Sequence, residues 1–262
     1  MSAPWILVLG VSSGFGAAAA RAFAAAGYDV AGVHLDRRAG QALADTLAAD
    51  IRAMGRQAVF FNVNAADDDR RAETLAALGA AIPAGGLRVF LHSLAFGTLK
   101  PYVPAPGADE KGATRKQVEM TLDVMGHSLI YWTQDLVAAG LFSGDARIYA
   151  MTSSGSHMVW PRYGMVSAAK AALEAHIRQL AIELAPRGIT ANAILAGVTP
   201  TAALEKIPGA DKLVAQALAR NPNGRLTTPE DVAACLVDLA RPGTHWMNGN
   251  VIRVDGGEDC AG

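Results

Sequence analysis

"VLGVSSGFGAAAARAFAAAGYDV", residues 8–30, reads as strand, glycine turn, helix and second strand in immediate succession. Val8 and Leu9 close an apolar run that begins at Trp5, and Gly10, Gly14 and Gly16 follow with the spacing G-x3-G-x-G. Glycines let the chain turn sharply and bring backbone N–H groups against a pyrophosphate at a helix N-terminus. Taken alone, a glycine triplet is no more than a tight βα turn. Its place between an apolar strand and an alanine-rich helix makes it a dinucleotide-binding prediction.

The rest of the chain repeats that alternation. Strands are expected at 5–9, 29–33, 58–61, 88–92, 147–151, 190–195 and 250–254, and helices at 16–26, 39–54, 67–80, 116–139, 162–185 and 229–240. Most of the strands are apolar throughout, as strands covered on both faces are. Strict βαβ order predicts an α/β fold of Rossmann type: a doubly wound, seven-stranded parallel sheet with helices on both faces. No linker divides the 262 residues, so one domain is expected over 1–262. Two long connections break the rhythm. Residues 97–115 hold three prolines and three glycines, and residues 196–224 hold Pro200, Pro208 and Pro222. Both leave the carboxyl ends of strands, where open α/β sheets bind ligands, and the second is expected to act as a substrate lid.

Composition excludes several classes. Apolar residues are 51% and charged residues 18% of the chain, which argues against disorder. A formal charge of −1 with no basic stripe argues against nucleic acid or an acidic membrane as partner. No apolar run is long enough to span a bilayer. Cys235 and Cys260 lack metal or redox spacing, and no two of the six histidines have ligand spacing, so no metal site and a reduced cytoplasmic setting are expected.

Cofactor choice is written ambiguously at the end of the second strand, "GVHLDRR" (32–38). Asp36 suits the ribose 2′-hydroxyl of NADH, whereas Arg37 and Arg38 suit the 2′-phosphate of NADPH, and both remain open. Asn62, closing the third strand, is placed either to meet the adenine or to form a turn.

A tyrosine and a lysine lie seven positions apart at Tyr163 and Lys170. On a helix that spacing gives roughly 10 Å of rise and only about 20° of angular drift, so the two side chains share a face. A nearby ammonium lowers a phenol's pKa by stabilising the phenolate, so the pair is expected to deliver a proton beside the dinucleotide.

The glycine turn, Tyr-x6-Lys and "VDGG" (254–257) together resemble the short-chain dehydrogenases/reductases along essentially the whole chain. The resemblance implies Tyr163 as proton donor, Lys170 as its electrostatic support and ribose ligand, and Ser153, with Ser154 as neighbour, as the hydroxyl that binds the reacting oxygen. It places the cofactor against Gly10, Ser12, Ser13, Gly14, Phe15, Gly16, Asp36, Arg37, Asn62, Val63, Ser93, Lys170, Gly197 and Thr201. The substrate would meet Phe96, His157 and Tyr163.

Within that family the chain is most similar to the enoyl-acyl-carrier-protein reductases. "HSLAFG" (92–97) replaces the usual ketoreductase turn, Met125 stands where ketoreductases carry an asparagine, and "NAILAGVTPT" (192–201) resembles the enoyl-reductase motif. Ser153 precedes Tyr163 by ten positions, a shorter gap than ketoreductases show. Ser153 itself departs from the second aromatic that many enoyl reductases carry there. Reduction of an enoyl thioester, borne on acyl carrier protein or coenzyme A, is therefore expected, with a ketoreductase or alcohol dehydrogenase as alternative and a non-catalytic cofactor sensor as a third class. The resemblance also implies a homodimer or homotetramer built on the fourth and fifth helices, the tetramer being favoured.

Overall fold

In the computed structural model, which describes residues 2–261, seven strands line up in the order β3-β2-β1-β4-β5-β6-β7, all parallel. They are β1 (Trp5–Leu9), β2 (Asp29–His34), β3 (Ala58–Asn62), β4 (Leu87–His92), β5 (Phe142–Thr152), β6 (Thr190–Ala196) and β7 (Val251–Val254). Helices α1 (Gly14–Ala25), α2 (Arg38–Ala53), α3 (Asp68–Ala81), α4 (Arg115–Leu122), α5 (Ser128–Ala138), α6 (Gly164–Leu184), α7 (Ala210–Arg220) and α8 (Pro229–Leu239) cover its two faces.

Alternation along each strand divides the core. Trp5, Leu7 and Leu9 of β1 pack with Leu78, Trp132 and Ile177 on one face. Ile6 and Val8 pack with Phe23, Ile51 and Leu236 on the other. With both faces buried, neither set of side chains can be polar, which explains the unbroken apolar runs. Among the polar atoms of buried side chains, Trp132 Nε1 donates to Ala65 O at 2.8 Å. Local signals start α3, α4 and α8. Thr228 caps α8 through a reciprocal bond with Asp231, with Pro229 in the first turn.

The sheet order reverses between β1 and β4, so the βα loops diverge and open a crevice at their carboxyl ends. Every predicted strand is present, β5 being longer than its apolar run suggests. The continuous helix expected over 116–139 is instead interrupted by a π-helical turn at Asp123–His127. That turn packs against α6. Gly126 lies so close that a Cβ there would stand 3.1 Å from Ala169 O. No helix among the described residues is long and apolar enough to cross a membrane, and none of their His, Cys, Asp and Glu side chains form a metal-holding group.

Candidate active site

The glycine turn is built for close approach. Gly10 has φ +87, and a Cβ there would lie 2.4 Å from Ser93 O. A Cβ on Gly16 would lie 2.0 Å from Gly10 O, so only glycine lets the first turn of α1 settle onto the loop. Ser13, the N-cap residue of α1, makes no side-chain cap, and no acid occupies the first turn. The amide donors and the positive end of the helix therefore face the crevice, the arrangement a pyrophosphate requires.

A cavity of about 280 Å³ opens beside this turn. Of the expected residues, Phe15, Ser93, Ser153, Tyr163, Lys170, Gly197 and Thr201 line it. Gly14 adjoins Thr201, whose methyl would stand 3.5 Å from a Cβ at position 14. Asp36, Arg37, Asn62 and Val63 sit together at the ends of β2 and β3, outside the cavity. There Asn62 braces the turn: Oδ1 accepts from Asp36 N, and Nδ2 donates to Asp36 O and to Gln41 Oε1. Its amide is already committed to the turn. Asp36 in turn is held by the buried His34, Nδ1 to Oδ2, at 2.9 Å.

Lys170 is buried, and its Nζ donates to Met151 O at 2.7 Å and, at longer range, to Leu94 O at 3.4 Å. Burial pulls its pKa down to about 8, with Glu174 one turn later pulling the other way. Glu174 Oε1 also accepts from Thr152 Oγ1 at 2.6 Å, tying α6 to the end of β5. Burial raises the Tyr163 phenol above its ordinary value, and the Ser153 hydroxyl partly offsets that rise. Lys170, expected to lower this pKa, spends its hydrogen bonds on backbone carbonyls instead. Tyr163 is therefore a neutral O–H donor at physiological pH. Although Ser153 Oγ influences the phenol, no hydrogen bond of good geometry joins them, and the buried Ser153 Oγ is unpartnered among the described residues. Both hydroxyls are thus available to one oxygen of a ligand.

His92 lies beneath this site, fully buried, with Nε2 2.9 Å from Ser128 Oγ. Ser128 donates to Val124 O, so His92 Nε2 carries the hydrogen. Burial and then the Lys170 charge lower its pKa to about 3, keeping it neutral.

The other expected substrate contacts lie elsewhere. Phe96 is exposed and His157 turns to Ser156 and Asp259; neither lines the cavity. Its wall is instead Leu99, Met125, Met158, Trp160, Val166, Ile207 and Leu213, with Arg220 and Glu258 among the polar lining. Gly155 is a further residue whose role the sequence did not disclose. A Cβ there would press within 2.5 Å of the Tyr163 ring and 3.2 Å of Ser153 Oγ, so the chain is pinched against both hydroxyl-bearing residues. Glu258 reaches back to accept from Val198 N at 3.1 Å.

Known proteins carry the same plan. The enoyl-acyl-carrier-protein reductase (NADH) FabI of Aquifex aeolicus is 32% identical over 183 residues, 68% of this chain and 64% of that protein, so the match spans less than two thirds of the relative's length. A crystal structure of an enoyl-acyl-carrier-protein reductase (NADH) from the same organism superposes with TM-score 0.84 at 26% identity, covering 99% of this chain and 97% of that one. A short-chain dehydrogenase from Burkholderia cenocepacia in complex with NADP gives TM-score 0.81 at 27% identity, with 98% of each chain covered. The family described as enoyl-(acyl carrier protein) reductase matches residues 10–258, and with that match the chain belongs to this family of short-chain dehydrogenases/reductases.

Proposed function

We propose that the protein reduces the double bond of an enoyl thioester with NADH or NADPH. The observation that carries this reading is the cavity itself. An apolar wall rich in methionine and aliphatic side chains ends at the Tyr163 and Ser153 hydroxyls, which suits an acyl chain whose thioester oxygen meets them. The turn at 10–16, the carboxyl edge at Asp36 and Arg37, Ser93, Lys170, Gly197 and Thr201 would hold the dinucleotide. When bound, a reduced nicotinamide supplies the hydride.

The chain's own groups would stabilise the enolate that forms when C3 receives that hydride, before C2 takes a proton from solvent. As negative charge develops on the thioester oxygen, Tyr163 stabilises it by donating a hydrogen bond, and Ser153 adds a second. A phenol raised by burial keeps its proton until that charge appears. Lys170, anchored to Met151 O, holds positive charge behind the phenol. Met125, buried in the wall, would help keep water from the cavity. Lys206 and Arg220 offer cations to the phosphates of a carrier-borne substrate.

A second reading, carbonyl reduction, is favoured by one observation: Ser153 Oγ is free and adjacent to Tyr163, a hydroxyl pair that also polarises a ketone. Nicotinamide absorbance followed with a trans-2-enoyl and a 3-oxoacyl thioester side by side, with each cofactor, separates the two. Oxidation is expected with the enoyl substrate, and oxidation with the oxo substrate alone would overturn the proposal. Tyr163→Phe should then lower kcat by about 10²- to 10⁴-fold with cofactor binding unchanged.

A further inference from the structure

The turn Trp160–Pro161–Arg162, directly ahead of Tyr163, is tied to both connections that cover the cavity. Trp160 Nε1 donates to Pro208 O at 3.1 Å, and its ring lies 3.6 Å from where a Cβ on Gly209 would stand. That contact holds the segment carrying Leu204, Ile207 and Leu213. Arg162 Nη2 donates to Glu110 Oε2 at 2.5 Å, reaching the 97–114 connection. That connection is closed on itself by Ala113 N donating to Pro101 O at 2.9 Å. Its Tyr102 ring covers Gly164, where a Cβ would come within 2.5 Å of Cε2.

Arg162 has φ +65, the only non-glycine residue with positive φ among those described. Such a conformation persists where the surroundings fix it, and it gathers at functional sites. Tyr163 N donates to Trp160 O at 3.1 Å, so the geometry of this turn passes straight to the residue that carries the phenol. The Arg162–Glu110 pair is partly exposed and in isolation would contribute little. Its consequence comes from acting on the same strained turn as the Trp160 bond.

We propose that residues 160–162 are a clasp, with Trp160 and Arg162 as positioning residues. Through it, the seating of each covering connection is transmitted to the other and to the Tyr163 hydroxyl. An acyl chain that lifts either connection therefore misplaces the phenol, and chain-length selectivity arises in kcat as well as in KM. The kinetic part rests on reading the cavity as an acyl site; the mechanical part does not.

Amide hydrogen exchange on the full chain tests the mechanical part. Glu110→Gln should accelerate exchange not only at 98–113 but also at 204–213, and Trp160→Phe should do the reverse. Arg162→Gly tolerates the positive φ yet loses the ion pair, and should behave like Glu110→Gln. In turnover of the enoyl thioester each variant should lower kcat about three- to tenfold, the scale of one hydrogen bond, with the cofactor KM unchanged. Acceleration confined to each variant's own connection, or a raised thioester KM with kcat unaltered, would overturn the clasp. A wild-type protein that reduces neither thioester would refute the proposed function, and the exchange pattern would still decide the clasp.

Discussion

Lys170 holds an ammonium in surroundings that disfavour charge, and this has a measurable signature. Its pKa falls from an ordinary 10.5 to about 8 on folding. Between those values the unfolded chain binds a proton that the folded chain does not, so stability rises with pH across that window. Below pH 8 both states are protonated and the folded protein bears the whole penalty. Lys170→Met should therefore raise stability at pH 7 by up to about 3 kcal/mol, less the lost bond to Met151 O, and Tm with it. That gain should shrink as pH rises through 8 toward 10.5 in a melting series. Glu174 opposes the depression, and its tie to Thr152 leaves it within reach of the ammonium. Glu174→Gln should move the basic limb of the kcat–pH profile to lower pH while Tm changes little, because the amide can still accept from Thr152. A limb that stays in place would deny Glu174 any electrostatic part.

Among the elements, the β1–α1 turn leaves the least latitude. Gly16→Ala forces a methyl toward Gly10 O, a backbone atom that cannot rotate away. Cofactor affinity should fall by more than about tenfold, together with a loss of stability of the size seen on overpacking, roughly 1–3 kcal/mol. Titration of nicotinamide fluorescence checks the first and thermal melting the second. This turn was legible in the sequence because strand, glycines and helix lie within 23 consecutive residues. Strands were legible for a similar reason: double-sided burial writes itself into short runs such as β1 and β2. The π-helical turn at Asp123–His127 was not, since the α6 backbone it packs against lies more than forty residues away. Nor was the commitment of Asn62 to Asp36, or the return of Glu258 to Val198, because periodicity is blind to partners brought together by topology. That Phe96 and His157 fall outside the cavity lining was not legible for the same reason. They neighbour cavity-lining residues in sequence, but a single bond rotation or turn sends a side chain outward.

At the scale of the whole molecule, the surface retains apolar side chains that an isolated subunit would leave wet. Trp246 is 89% and Ile182 73% exposed, and Val251 is exposed on the edge strand β7. Asn248, beside Trp246, bonds to Ala181 O at 2.9 Å, which brings the loop before β7 next to α6. We propose that these surfaces are covered by further copies of the chain. Light scattering should return a multiple of 27.2 kDa, a tetramer being expected, and Trp246→Asp should lower that multiple. A monomeric mass for the wild type would remove the proposal. The reversal of strand order has a kinetic side as well. Ile6 pairs with Val89 across the longest stretch of chain spanned by any neighbouring strands in this sheet. Closing so long a loop costs more entropy than any other strand pairing in this sheet, before any contact rewards it. The crevice that gathers the binding groups is thus also the seam whose closure costs the chain most.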